Sequence, residues 1–310
     1  MSSATHPFWT TRGSINLAHD YAELVKLRVT TLIVMTAWTG FYFGAVKSSV
    51  ASLTWTLLHA LLGIGLVSAG TAAFNEVLER EADALMQRTA SRPLPARRMT
   101  LLHASLAATL MILGGTAYLT LTTNRLTALL TLATAVFYLT VYTPLKRLSP
   151  LCTFVGAFSG AMPPLLGWTA CRGRIEGEAI ILFAIVFLWQ FPHFFSIAWL
   201  YREDYAKASI RMLPVVESDG RSTAREILLY SLILIPVSVA PTLLGMTGKL
   251  YFWGALLLSA TLFWFGYRLS AAKLPATSSR SKAHARALLQ ATVIYLPLLF
   301  GLMMLNAAAS

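Results

Sequence analysis

The sequence predicts an all-α integral membrane protein, nine transmembrane helices bundled around a central cavity, with the N-terminus cytoplasmic and the C-terminus outside. Three observations predict it. The 310 residues are 56% hydrophobic and 12% charged, with a mean hydropathy of +0.63, too apolar for a soluble domain of this length. Nine apolar runs approach the length of about 20 residues that crosses a bilayer. Lys and Arg are concentrated in alternate connections between those runs, as the cytoplasmic bias of basic residues requires.

In chain order the runs cover roughly residues 29–46, 52–74, 100–122, 126–143, 150–170, 178–200, 226–246, 250–270 and 287–307. With the N-terminus inside, twenty of the 25 basic residues fall on the inner side, from Arg12, Lys26 and Arg28 onward. Lys47, Arg125, Arg172, Arg174 and Lys249 are the outer ones. Topology therefore absorbs the net charge of +12, and no basic excess calls for a nucleic-acid partner. All acids except Glu176 and Glu178 share the inner side, so the functional face is expected to be cytoplasmic, in a protein expected to reside in the cell (inner) membrane. Residues 1–28 form a polar cytoplasmic segment without the apolar core of a signal peptide. Asp20 and Glu23 weigh against reading its start as a transit sequence. Cys152 and Cys171 lie near opposite ends of one predicted helix, about 28 Å apart at 1.5 Å per residue, too far for a disulfide.

The chain reads as one intramembrane domain, 1–310, with two long charged inner loops at 75–99 and 201–225 that roof the cavity. They echo one another: Asp83 precedes RPLP (Arg92 to Pro95), and Asp204 precedes RMLP (Arg211 to Pro214). The stretch 271–286 reads as a plain solvated linker.

Asn75, Glu79 and Asp83 stand at i, i+4 and i+8, so on a helix they drift by only about 80° and share a face. Three hard oxygen donors in a row suit magnesium, which binds through one or two carboxylates plus substrate phosphates and water. The plainer alternative is a solvated helix end in which Glu76 pairs with Arg80, and spacing alone leaves both open. In the second loop Asp204 and Lys207 share a face, with Arg211 a turn further on; read alone, an ordinary charged loop weighs more. Tyr142 and Lys146 sit with Arg147 at a short inner connection, where topology alone accounts for the bases, although Lys and Tyr also hold diphosphate oxygens. His193, in WQFPHFFSIAW, lies inside a hydrophobic run, where an ionisable residue is a functional candidate by default. It is equally read as an iron ligand, a proton acceptor or an interhelical hydrogen-bonding group. Phe191, Phe194, Phe195 and Trp199 are packing aromatics that could also wall an isoprenoid tail.

These residues resemble the UbiA superfamily of intramembrane prenyltransferases, and within it the haem-farnesylating branch, over most of the chain. The asparagine followed by acids at intervals of four is Asn75, Glu79, Asp83; the continuation MQRTASRPLP, together with YTPLKR, GAMPPLLGW, WQFPHF and REDYAKASIRMLPV, is similar to that branch in order and position. The resemblance implies transfer of the farnesyl group of farnesyl diphosphate to a vinyl group of haem b, with addition of water, to give haem O. It implies Mg2+ held by Asn75, Glu79, Asp83 and Asp204, with Arg88, Arg92, Lys146 and Lys207 neutralising the leaving group, Tyr142 beside them and His193 contacting haem. A haem A-forming oxygenase or a terminal oxidase would be the downstream partner. Glu79 stands where Asp is commoner, Ala208 where many members place another acid, and Cys152 where asparagine is expected. A sibling enzyme acting on a quinone precursor such as 4-hydroxybenzoate would use the same metal site. A transporter would place its ionisable groups near the midplane instead of at one face.

Overall fold

In hydrocarbon every backbone N–H and C=O must be paired within the protein, so long apolar runs fold as helices. The computed structural model describes residues 11–217, 219–275 and 277–308. Residues 1–10 of the expected inner segment, and the side chain of Arg12, lie outside what is described. The elements are α1 (Thr11–Leu24), α2 (Leu27–Lys47), α3 (Trp55–Leu85), α4 (Leu101–Thr122), α5 (Arg125–Phe137), a π-helical turn (Tyr138–Tyr142), α6 (Thr143–Leu148), α7 (Cys152–Arg172), α8 (Gly177–Leu200), α9 (Arg202–Lys207), α10 (Leu213–Val216), α11 (Arg221–Leu243), α12 (Lys249–Ala271) and α13 (Ser279–Leu305). Side-chain caps start four of them: Thr54 accepts from the Leu57 N–H (3.2 Å), Thr100 from His103 (3.3 Å), Asn124 from Thr127 (2.9 Å) and Ser278 from Ser281 (3.3 Å).

Among the described residues, eight stretches are long and apolar enough to cross a membrane: α2, α3, α4, the continuous rod Arg125–Leu148, α8, α11, α12 and α13. The remaining expected span, 150–170, is helical as α7 but less apolar. The reason is its position. Fifteen of its 21 residues are buried against other helices, so small and polar side chains such as Thr153, Gly156 and Ser159 serve there instead of lipid-facing ones.

Two expected boundaries move. α3 continues to Leu85, so the first eleven residues of the expected 75–99 loop are helix. α13 begins at Ser279, so much of the expected linker is helical, and it is tied back to the end of α8 and the segment after it. Trp199 Nε1 donates to Ser281 Oγ at 2.8 Å, and Lys282 pairs with Glu203 at 3.1 Å.

α2 and α7 meet backbone to backbone. A Cβ on Gly40 would lie 1.8 Å from the Pro164 carbonyl oxygen, and one on Gly167 1.8 Å from that of Ala37. Gly167→Ala should therefore prise the seam apart and destabilise the protein by about 1–3 kcal/mol or more. Thermal unfolding in detergent measures this; an unchanged midpoint would show the seam to be compliant. At the Arg172 end of the seam, Arg172 donates to Glu176 (2.8 Å) and to Ser48, and Arg174 reaches Glu176 at 3.0 Å. The Arg172 hydrogen bond, reinforced by Arg174, holds the Glu176 carboxyl down to about 2. Its contribution is thus present above the ordinary carboxylate range and is lost only as pH falls toward 2.

Candidate active site

The C-terminal end of α3 carries four polar side chains, Asn75, Glu76, Glu79 and Asp83, into the protein. Asn75 and Glu76 are fully buried and Asp83 is 1% exposed. Glu76 does not pair with Arg80 as the plainer sequence reading had it. Its Oε1 accepts from the Leu94 backbone N–H at 3.3 Å, while Arg80 turns to Glu81 at 2.8 Å. Burial decides this, because Glu76 lies on the side of α3 covered by the RPLP segment, whereas Arg80 and Glu81 reach solvent.

Each of the three predicted donors faces a cation. Lys26 Nζ donates to Asn75 Oδ1 at 2.8 Å, Lys146 Nζ to both Glu79 oxygens at 2.7 and 2.9 Å, and Arg92 Nη1 to Asp83 Oδ2 at 2.6 Å. Asn75 Nδ2 donates to Thr143 Oγ1 at 3.1 Å, which fixes the direction of its amide oxygen. The cations arrive from three separate elements. Lys26 occupies the break between α1 and α2 with φ of 48°, a left-handed conformation unusual for lysine. Its burial, with Arg92 and Lys146 close by, pulls the ammonium down to about 8. Lys146 follows the π-helical turn, a local widening that recurs at functional sites and sets its Nζ 4.7 Å above the Tyr142 ring. Arg92 comes from the segment after α3, which Thr89 pins by donating to the Asp83 carbonyl at 2.9 Å.

The 201–225 segment packs on the segment that follows α3. Arg88 stacks over the rings of Tyr201 (5.4 Å) and Tyr205 (5.9 Å) and reaches the Tyr205 hydroxyl at 3.4 Å. The Arg211 N–H donates to the Lys146 carbonyl at 2.7 Å. Ala82, Met86, Ala208 and Ile210 share an apolar cluster with Tyr142, Phe194 and Tyr205. Asp204 lies 3.8 Å from Lys207, as their shared face predicts, with Lys207 mostly exposed. His193 sits apart from the acids, on α8 facing α13, with Nδ1 2.9 Å from Thr292 Oγ1.

Lys26, Glu76 and Thr143 belong to this cluster and were missed as site residues by sequence reasoning. A basic residue at the break before the first span was the available signal for Lys26. Neither Glu76 nor Thr143 carries one, since burial is a tertiary property.

The donor set suits a divalent cation accompanied by an anion. Glu76 Oε2 is a buried acceptor with no hydrogen-bond partner among the described residues, within electrostatic reach of Lys26, Asp83 and Arg92. Among the described residues Glu79, Asp83 and Asp204 are not gathered into one tight trio; His19, Asp20 and Glu23 are, on α1, where Arg98 bonds both acids at 2.8 and 2.9 Å. The α3 set therefore fits a metal held by one or two carboxylates and completed by phosphate oxygens and water, not an all-protein cage. Arrival of such a pair would exchange partners: carboxylates to metal, Lys26, Lys146 and Arg92 to phosphate.

The fold is that of intramembrane prenyltransferases. It superposes with a TM-score of 0.73 on a structure described as a digeranylgeranylglyceryl phosphate synthase, at 17% identity, covering 93% of this chain and 98% of that one. A UbiA homologue from Archaeoglobus fulgidus bound to DMAPP and Mg2+ superposes at 0.61, with 14% identity over 92% of this chain and 99% of that one. The model of the UbiA prenyltransferase family matches residues 33–290, and a protoheme IX farnesyltransferase of Koribacter versatilis is 59% identical over 99% of both chains. The chain belongs to the UbiA prenyltransferase family. It is a multi-pass membrane enzyme.

Proposed function

We propose that this chain, acting as one prenyltransferase domain, transfers the farnesyl group of farnesyl diphosphate to a vinyl group of haem b, with addition of water, to make haem O. The observation that carries this reading is the buried acid–cation cluster at the inner mouth of an apolar bundle, in a chain so similar to a protoheme IX farnesyltransferase. The site faces the cytoplasm of the inner membrane, as the basic residues orient it.

Asn75, Glu79 and Asp83, with Asp204 from the second loop, would hold Mg2+. The ion would supply positive charge to the diphosphate as the allylic C–O bond breaks. Lys26, Arg92 and Lys146, with Arg88 and Lys207 at the rim, hold the departing diphosphate oxygens by charge-assisted hydrogen bonds. The Tyr142 ring under the Lys146 ammonium keeps that cation in place. The apolar cluster around Phe194 and Tyr205 keeps water from the allylic cation until the vinyl carbon has bonded to it. Water then adds to the neighbouring carbon as hydroxyl, with release of one proton.

Mass spectrometry of haem extracted from membranes incubated with haem b, farnesyl diphosphate and magnesium tests the reading. A farnesyl-plus-water adduct that vanishes with EDTA is expected. Unmodified haem, with prenylated 4-hydroxybenzoate in a parallel tube, would transfer the assignment to a quinone-directed enzyme.

A further inference from the structure

We infer that Arg98 is a positioning residue for the diphosphate: its guanidinium bridges α1 to the segment after α3 and so sets both Lys26 and Arg92 in the site. This deepens the diphosphate-holding role proposed above for those two cations and rests on it.

The inference starts from where the N–H groups of Arg98 go. Nε donates to Asp20 Oδ1 at 2.8 Å, Nη2 to Glu23 Oε2 at 2.9 Å and Nη1 to the Ser91 carbonyl at 2.7 Å. A planar fork meets all three acceptors at once, which the compact ammonium of a lysine cannot copy. The residue before it, Arg97, has φ of 58°, so the chain passes through a left-handed position just where Arg98 must reach α1.

Each arm of the fork ends one step from a site cation. Glu23 is held twice, its carboxylate by Arg98 and its backbone carbonyl by the Lys26 N–H at 2.9 Å. The Thr30 hydroxyl donates to the Val25 carbonyl at 2.7 Å and fixes the same break from α2. Lys26 carries the constraint on to Asn75 at 2.8 Å. On the other arm Ser91 adjoins Arg92, which holds Asp83, and the Arg98 N–H closes the turn by donating to the Pro93 carbonyl at 2.8 Å.

Attachment of α1 does not depend on the Glu23 arm. Leu24 is fully buried among Ala73, Val77 and Leu94, and Tyr21 bonds His103. The side chains of Arg98 and Glu23 are 38% and 35% exposed, and ion pairs so open to water add little to stability. Asp20, at 9%, is the partner whose loss would strand a nearly buried charge. Glu23 therefore separates positioning from folding.

The test uses the full chain in lipid nanodiscs and reads two affinities, for farnesyl thiodiphosphate with magnesium and for haem b. Glu23→Met should weaken the analogue about tenfold, a usual size for coupling between sites, while haem affinity and the thermal midpoint stay near those of the wild type. Charge alone predicts the opposite sign, because removing a carboxylate favours an anion nearby. Arg98→Lys keeps the charge and an ion pair to Asp20 without the fork, and should also weaken the analogue about tenfold. The double variant should be little worse than Arg98→Lys, since both changes open one link. Unchanged or tighter analogue binding in Glu23→Met, wild-type affinity in Arg98→Lys, multiplied losses in the double variant, or an equal loss for haem b would each overturn the inference. A wild type that does not bind the analogue would overturn the diphosphate reading instead.

Discussion

Asp83→Asn is expected to lower farnesyl transfer by about 100- to 1,000-fold, the scale of removing one preorganised charge from a reacting centre, while the protein still accumulates in the membrane. Asparagine is the informative substitution. Asp83 is buried and paired with Arg92 at 2.6 Å, and deleting one member of such a pair outright costs about 3–5 kcal/mol because the other charge is left unmatched. The amide keeps the volume and still accepts from Arg92, yet gives a metal a poorer ligand. Turnover by mass spectrometry, with folding followed by thermal unfolding, separates the two effects. Near-normal turnover in Asp83→Asn would remove the carboxylate from the metal set.

Lys146→Met should split metal binding from diphosphate binding. Both Glu79 oxygens are occupied by the Lys146 ammonium, so a metal arriving alone must displace it, whereas a metal arriving with diphosphate gives the lysine a new anion. Metal and diphosphate should thus strengthen one another's binding about tenfold or more, and reciprocally. In Lys146→Met the freed Glu79 should bind Mn2+ alone at least about tenfold more tightly, while affinity for an unreactive farnesyl thiodiphosphate falls and turnover drops about 100-fold. Electron paramagnetic resonance of Mn2+, with and without the analogue, reads the coupling. Equal metal affinity in wild type and variant would mean that the lysine does not compete for Glu79.

Much of the architecture was legible because hydrocarbon solvent leaves so few options. Runs such as 178–200 and 250–270 became α8 and α12 within a residue at each end. The exceptions follow from tertiary burial. α7 is polar where it touches protein, and α3 outruns its apolar stretch because Asn75, Glu76 and Asp83 are covered by the segment after it. Spacing on α3 put the donors of the site on one face. The cation on each donor was less legible. Lys146 and Arg92 could be counted as bases near the site, but their assignment to Glu79 and Asp83 needs the π-helical turn and the fold of 86–100, which leave no periodic trace. Lys26 was counted only for topology, since its left-handed backbone and contact with Asn75 join residues 49 positions apart.

The glycine seam between α2 and α7 also has a biosynthetic cost. Its two helices are distant in sequence: at one end of the seam Arg172 and Ser48 are 124 residues apart. At a synthesis rate of about 5–20 residues per second, the first membrane span waits about 6–25 s for its partner. During that interval the Gly40 face lacks its partner, although α3 can already pack against another part of α2. The order of translation, then, leaves the earliest membrane span dependent on a helix made halfway through the chain, and a ribosome that stalls before α7 leaves a membrane intermediate whose glycine seam can never form.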